Sequence, residues 1–238
     1  PAYNDAPSLP SLIARTFEVL EPRFKEFDVI VVNDGSIDHT RQVLAELECI
    51  HGPRLRVIEH ARNRGYGGAL RTGFENARHD LVFYTDGDAQ YDVAELPLLL
   101  EQMAPGVGLV NGYKLERSDP WHRIVIGNVY NRLARFLFHI RIRDVDCDFR
   151  LMRRELVESL NLSSASGAVC VELVRKLEMS GFEVRETLVH HYSRQHGRSQ
   201  FFRWRSLFRT FRELFALHWH VVVEPRQDRG LGARPADR

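Results

Sequence analysis

The sequence predicts an α/β fold, with a mainly parallel, mixed sheet flanked by helices and amphipathic helices toward the C-terminus. Three observations carry that expectation. Short β-branched apolar runs alternate with helix-period segments through the first half of the chain. Two of those runs end in acidic, glycine-containing turns, Asp34-Gly35-Ser36 and Asp86-Gly87-Asp88. The 238 residues, 44% hydrophobic and 27% charged, are enough for one sizeable core of this kind.

The elements follow in order. Pro7 to Leu20 places Leu9, Leu12, Ile13, Phe17 and Leu20 at helical spacing. Phe27 to Asn33 reads as a buried strand, and Leu55 to Glu59 and Asp80 to Thr85 as two more. Gly108 to Tyr113 is a fourth. Helix patterns lie between them: Val43, Leu44 and Leu47 after Asp38, then Gly67 to Ala77, then Glu95 to Met103. This order implies helices on both faces of the sheet, with ligands bound beyond the carboxyl ends of the strands. In the second half, Trp121 to Ile140, Arg150 to Leu160 and Val169 to Met179 read as helices and Phe182 to His191 as a strand. The division expected is a catalytic domain over 1–200, an amphipathic helix over 201–220 and a disordered tail over 221–238, rich in Pro, Gly, Arg and Asp.

Bulk composition excludes more than it identifies. A net charge of +1 points to no charged partner, and no nucleic-acid motif accompanies it, so no nucleic-acid partner is expected. Cys49, Cys147 and Cys170 are far apart and form no CxxC pair, which argues against a zinc site or a disulfide framework and for reduced thiols in the cytoplasm. No run of about 18 apolar residues offers a membrane span, and no signal peptide is visible. The chain opens at Pro1 rather than at a methionine, which fits a fragment lacking a strand ahead of Pro1.

Chemistry concentrates in three segments. Asp86 and Asp88 flank Gly87 directly after a strand, so a bend at the glycine brings two carboxylates toward one hard cation such as Mg²⁺ or Mn²⁺. Alone, the same triplet fits an acidic turn that caps a helix. Asp34-Gly35-Ser36-Ile37-Asp38 is a second acidic turn, with Asp38 placed as an N-cap. Asn63-Arg64-Gly65-Tyr66-Gly67-Gly68-Ala69 is a glycine-rich loop opening a helix, a geometry that favours anions. No Gly-Lys-Ser/Thr follows it, so it is not a Walker A loop.

Taken together, these segments resemble the family 2 glycosyltransferases of GT-A, Rossmann-like fold. The match runs through Pro1-Ala2-Tyr3-Asn4-Asp5, Val32 to Ser36, Asn63 to Ala69 and Thr85 to Gln90, in order and at fitting spacing, to about Phe202. Asp144 to Arg150 and Arg194 to Ser199 bring it nearest to the polyprenyl-phosphate (dolichyl-phosphate) mannose and glucose synthases. The resemblance implies that Pro1, Tyr3, Asp5, Asp34, Gly65, Gly68, Asp86 and Gly87 contact a nucleotide sugar, a GDP- or UDP-hexose. It implies that Asp86, Asp88 and Gln90 hold Mg²⁺ or Mn²⁺, that Asp86, Asp88 and Arg194 are catalytic, and that Arg194 and Ser199 face phosphate. Arg117, Arg132 and Arg150 are further candidates for the acceptor phosphate, because a guanidinium binds phosphate bidentately, while Arg150 could equally be structural and pair with Asp144 or Asp148. Two positions depart from the pattern: Asp5 stands where Glu is usual, and Asp148 where a small residue is usual.

The implied reaction is an inverting, metal-dependent transfer to a polyprenyl phosphate. That acceptor is already an anion, so it needs no strong base. Transfer to a saccharide or small-molecule hydroxyl is the alternative, with Asp146 or Asp148 as base; a nucleotide-binding protein without turnover is a third. His190 and His191 end a strand and read as structural. Phe201, Trp204, Phe208, Phe211 and Phe215 recur at helical spacing among Arg203, Arg205, Arg209 and Arg212, and Ile124 to Ile142 is similar in character. Such stripes suit a peripheral helix on the cytoplasmic face of an anionic membrane. They equally suit packing on the core or on a second subunit of a homo-oligomer.

Overall fold

The computed structural model describes residues 1–114, 121–194 and 204–219. Six strands are described: β1 (Val29–Asn33), β2 (Leu55–Glu59), β3 (Leu81–Thr85), β4 (Val107–Lys114), β5 (Phe149–Arg153) and β6 (Glu183–Val189). Eight α-helices accompany them: α1 (Leu9–Leu20), α2 (Thr40–His51), α3 (Tyr66–Glu75), α4 (Leu96–Gln102), α5 (Trp121–Phe138), α6 (Arg154–Ser159), α7 (Ala168–Met179) and α8 (Trp204–His218). The expected boundaries in the first half hold to within about two residues at nearly every element. Those segments carry strong periodicity, and their ends are marked by turns.

Helix α1 shows the local logic. Pro10 sits in its first turn, where a missing N–H costs nothing, and Leu9, Ile13 and Phe17 recur every fourth residue on the buried face. Thr16 caps the same helix internally by donating from Oγ1 to the Leu12 carbonyl at 2.7 Å.

Strands β1 and β2 pair in parallel, Val29 opposite Leu55 through Asn33 opposite Glu59. The other four lie in the order β3-β5-β4-β6. There β4 and β6 are parallel, whereas β5 runs antiparallel to both β3 and β4. The sheet is therefore mixed, with β5 as the reversed strand. The helix expected over 150–160 is corrected here: Phe149–Arg153 is a strand and only Arg154–Ser159 is helical. Local propensity does not separate the two states over so short a run. The central position decides, because Phe149, Arg150, Leu151 and Met152 are all buried, on both faces of the sheet.

Arg150 is 0% exposed. Register places it opposite Tyr84 on β3 and Asn111 on β4. Its Nε donates to Asn111 Oδ1 at 2.6 Å, one terminal nitrogen donates to the Tyr84 hydroxyl, and the other donates to the Val145 carbonyl at 2.5 Å. The expectation that Arg150 binds an acceptor phosphate is corrected: its donors are spent inside the sheet. It ties three segments together at the sheet's centre.

The largest core lies between the sheet and helices α5, α7 and α8, around Phe138, Met152, Leu173 and Leu214. Leu214 and Leu217 of α8 are buried in that core. The helix expected as a separate 201–220 segment is, over its described residues, a layer of the domain. Residues 221–238 lie outside the described residues, as do Arg117, Ser199 and Phe201. No described helix is long and apolar enough to cross a membrane.

Replacing Arg150 with Met should leave the Tyr84 hydroxyl, Asn111 and the Val145 carbonyl without their partner. Each buried polar group so stranded costs about 1–3 kcal/mol, so urea unfolding should show a loss of about 3 kcal/mol or more. A variant as stable as the parent would contradict the structural role.

Candidate active site

The site forms where β1 and β3 end, beside the first residues of the chain. Gly87 lies directly beneath Pro1: its N–H donates to the Pro1 carbonyl at 3.1 Å, and its carbonyl accepts from Ser8 Oγ at 2.7 Å. A Cβ on Gly87 would stand 2.9 Å from that Pro1 oxygen. The turn between Asp86 and Asp88 is glycine because backbone passes over it, and this close packing fixes how the two carboxylates project.

Asp86 is partly buried and Asp88 is 8% exposed. Asp86 Oδ1 accepts from the Tyr66 hydroxyl at 2.8 Å. Asp88 accepts from the Gln90 backbone N–H at 3.1 Å and, on its other oxygen, from the Arg194 guanidinium. Arg194 also stands 3.9 Å from Asp5. Asp5 in turn accepts from the Tyr3 N–H at 2.9 Å. Tyr3, Asp5, Asp86, Gly87, Asp88 and Arg194 are thus brought together. Arg194 arrives from 106 residues downstream of Asp88.

Charge is unbalanced here. Burial, then the nearby charges of Asp148 and Asp88, push Asp86 well above the ordinary carboxylate range. Burial also raises Asp88, against the opposing pull of Arg194. Asp5 is raised by burial too, partly offset by its hydrogen bond from Tyr3 and by Arg194. A site holding several carboxylates with one guanidinium among them is electrostatically prepared for a cation. Among the described residues no group of three His, Cys, Asp or Glu side chains could close around a metal ion.

Four expected contacts, Asp34, Gly65, Gly68 and Gln90, have protein partners in the structure. Asp34 is buried, and its carboxylate accepts from the backbone N–H groups of Arg64 and Gly65 at 2.8 and 2.9 Å and meets His60 Nδ1 at 2.6 Å. Where the sequence suggests a contact to a nucleoside, the structure shows Asp34 holding the glycine-rich loop. That loop is glycine-rich for packing. Gly65 has φ +84°, and a Cβ there would lie 2.5 Å from the Ala165 carbonyl oxygen. Gly68 is buried against the Arg64 side chain. Both were expected to face a nucleotide sugar, and both face protein instead. The amide nitrogen of Gln90, expected at the metal, donates to the Tyr192 carbonyl at 3.1 Å and approaches His191 Nε2 at 3.3 Å. Arg132 is exposed on α5.

The sequence reading assigned no role to Tyr66 or His60. Tyr66 lies inside the quoted glycine-rich segment, so a hydroxyl there was a readable signal. His60 carries none in the linear sequence, since only the fold places it between Asp34 and Thr72, whose Oγ1 is 3.0 Å from Nε2. Asp148 approaches Tyr84 Oη and Cys170 Sγ, each at 3.3 Å, on the Asp86 side of the site. His190 binds Glu95 and His191 packs edge-on to Tyr91, as the structural reading of both histidines expects.

The raised Asp86 makes a prediction about stability. Its proton is held in the folded chain at pH values where the unfolded chain has lost it. Stability of the metal-free protein therefore falls as pH rises from the ordinary value of 3.8 through the folded value. Asp86→Asn removes that loss and should melt at a higher temperature than the parent near neutral pH, with the gap closing toward acid. Thermal unfolding in EDTA across pH measures this; a constant gap at every pH would exclude it.

The match to known proteins is consistent with this geometry. The family model described as glycosyl transferase family 2 matches residues 1–160. An undecaprenyl-phosphate 4-deoxy-4-formamido-L-arabinose transferase from Pseudomonas fluorescens is 30% identical over 203 residues, covering 84% of this chain and 58% of its own length. Its counterpart from Aeromonas hydrophila is 27% identical over 201 residues, covering 84% and 61%. The chain thus spans about three fifths of the length of these relatives. Among solved structures, a mannosyltransferase from Pyrobaculum calidifontis in complex with GDP-Man and Mn²⁺ superposes with a TM-score of 0.65 at 22% identity, over 93% of this chain and 67% of that one. Glucosyl-3-phosphoglycerate synthase from Mycobacterium tuberculosis, in complex with Mn²⁺ and UDP-glucose, does so with 0.67 at 17% identity, over 93% and 76%. These likenesses establish the GT-A fold, and with the family match over two thirds of its length the chain belongs to glycosyl transferase family 2.

Proposed function

We propose that this chain transfers a sugar from a nucleotide-sugar donor to a polyprenyl phosphate, inverting the anomeric centre, in a reaction dependent on Mg²⁺ or Mn²⁺. The observation that carries it is the placement of Asp86 and Asp88 on one turn at the carboxyl end of β3, with Arg194 donating to Asp88. Asp86 and Asp88 would hold the cation, which when bound offsets the charge of the departing diphosphate. Tyr3 and Asp5 flank that position and fit the nucleotide. Two relatives are named for transfer to undecaprenyl phosphate, and two neighbours of like fold hold Mn²⁺ with GDP-Man or UDP-glucose. The neighbours differ in base, so GDP- and UDP-hexoses are both candidates.

The chain's own groups have separable tasks. Arg194 neutralises Asp88 in the free protein. A cation held by Asp86 and Asp88 would supply positive charge to that carboxylate, and the Arg194 guanidinium is a group that can bind phosphate bidentately. Tyr66 orients Asp86 by its hydrogen bond. An acceptor that is already an anion needs positioning more than deprotonation. Transfer to a hydroxyl is the second reading, favoured by one observation: Asp148 lies on the Asp86 side of the site, where a general base could stand.

A membrane-surface position fits the lipid acceptor. On α5, Val129 and Phe136 are 57% and 76% exposed; on α8, Phe208 and Phe215 are 73% and 59% exposed, and Trp219 just past its end is 54% exposed. The two helices touch, with Tyr130 and Phe211 rings 6.2 Å apart. Arg132, Arg209 and Arg212 are exposed among these apolar side chains, an arrangement suited to an anionic interface.

The test is an assay of lipid-linked sugar from a panel of GDP- and UDP-sugars with polyprenyl phosphate and Mg²⁺ or Mn²⁺. Asp88→Ala should lower turnover by at least about a hundredfold, the scale of losing one electrostatic stabiliser. Product undiminished by that change or by EDTA would refute metal dependence. Transfer only to free saccharides, abolished by Asp148→Asn, would favour the hydroxyl reading.

Exchanging Phe208, Phe215 and Trp219 together for Ser should weaken flotation with anionic vesicles while sparing transfer to a detergent-dispersed acceptor. Flotation equal to the parent's would remove α8 from the membrane contact.

A further inference from the structure

Behind Tyr66, away from the acidic turn, the backbone of residues 163–166 is held by two carboxylates. The segment connects α6 to α7 and belongs to no helix or strand. The N–H groups of Ser163 and Ser164 donate to Glu172 at 2.9 and 2.8 Å. Those of Ala165 and Ser166 both donate to one oxygen of Glu213, at 3.1 and 2.9 Å. Glu172 stands in the first turns of α7, the helix that the segment enters, so its hold is local. Glu213 arrives from 47 residues beyond Ser166, on α8, which Leu214 and Leu217 anchor in the core.

The other side of the same backbone carries the start of α3. The Ala165 carbonyl accepts from the Gly67 N–H at 3.0 Å, and the Ser164 carbonyl accepts from Arg71 at 2.6 Å. The approach is close, since a Cβ on Gly67 would stand 2.0 Å from the Ser164 oxygen. Tyr66 is the residue just ahead of that contact, and its hydroxyl donates to Asp86 at 2.8 Å. A peptide unit is planar, so fixing its N–H also fixes the carbonyl on its opposite edge. Glu213 holds the N–H of the two peptide units, 164–165 and 165–166, whose carbonyls receive Arg71 and Gly67.

We infer that Glu213 is a positioning residue for the sugar transfer, acting on Asp86 through residues 164–166 and Tyr66. One carboxylate oxygen on α8 sets two peptide planes. Those planes seat Gly67 and Arg71, and the seat places the Tyr66 hydroxyl on Asp86. Glu213 itself touches none of the acidic residues of the turn. The position of α8, whose outer face exposes Phe208 and Phe215, is therefore felt at Asp86. The inference rests on the reading of Asp86 as a cation ligand, and its test separates the two.

Glu213→Ala removes the acceptor, whereas Glu213→Gln keeps an acceptor oxygen at the same reach. Hydrogen exchange is followed in peptides covering 64–70, with 43–50 of α2 as the control. Glu213→Ala should speed exchange over 64–70 by about tenfold or more, the scale of losing a hydrogen bond to a charged acceptor. The control peptide should not change, and Glu213→Gln should match the parent. Mn²⁺ alone, titrated by electron paramagnetic resonance, should bind about tenfold more weakly to Glu213→Ala, the scale of losing support behind a metal ligand. In a Tyr66→Phe background the same change should cost nothing further, because the link to Asp86 is already cut. If Glu213→Ala does not fold, Glu213→Asp, which withdraws the oxygen by one methylene, carries the same expectations. Unchanged exchange over 64–70, equal acceleration in the control, or the same loss of Mn²⁺ binding with and without the Tyr66 hydroxyl would overturn the inference. So would a Gln variant as impaired as the Ala variant. A parent that binds no Mn²⁺ would refute the cation reading of Asp86, and exchange over 64–70 would then decide the role of Glu213.

Discussion

Like charges held close together out of water govern this site. Asp86 and Asp88 project from one turn, with Asp5 and Asp148 on either side, and burial makes their ionised forms costly. Much of the surrounding structure offsets that cost. Tyr66 donates to Asp86, Arg194 donates to Asp88, and the Gln90 N–H meets the remaining oxygen. Proteins accept poor local electrostatics where function needs it.

The turn also depends on a rigid base. Arg150 supplies that base from the centre of the sheet by linking β3, β4 and the segment at Val145. Because Tyr84 is fixed on one side by Arg150, its hydroxyl can also approach Asp148. The buried guanidinium thus serves the active site from behind without entering it. Asp34 does comparable work on the other wall, where it secures the Arg64–Gly65 backbone and thereby the start of α3 and Tyr66. Two charged residues that look like ligand contacts are in this structure the fasteners of the parts that make contact.

Much of the fold was legible before any coordinates. The β-branched run at 29–33, the exact span of 55–59 and the leucine pattern of α4 announce themselves by period and by the turns that end them. The strand at 149–153 did not, because a buried central strand and a short helix share one apolar pattern, and only its neighbours β3 and β4 distinguish them. The acidic turn was legible as chemistry, since Asp86, Gly87 and Asp88 stand together in the chain. Arg194 was legible only through resemblance to a known motif; nothing local ties it to a residue 106 positions away.

By itself the sequence determined the alternation of strands and helices, the carboxylate pair at the end of β3, and the family to which the motifs belong. These are properties of neighbouring residues, encoded in period, turn chemistry and spacing. Tertiary structure alone decided which charged side chains stand at the acidic turn and which are bonded within the protein. Asp34 and Arg150 belong to the second class, and Asp148 and Tyr66 lie beside the turn. The physical reason is that a carboxylate or guanidinium takes its role from what surrounds it, and register between distant strands sets those surroundings.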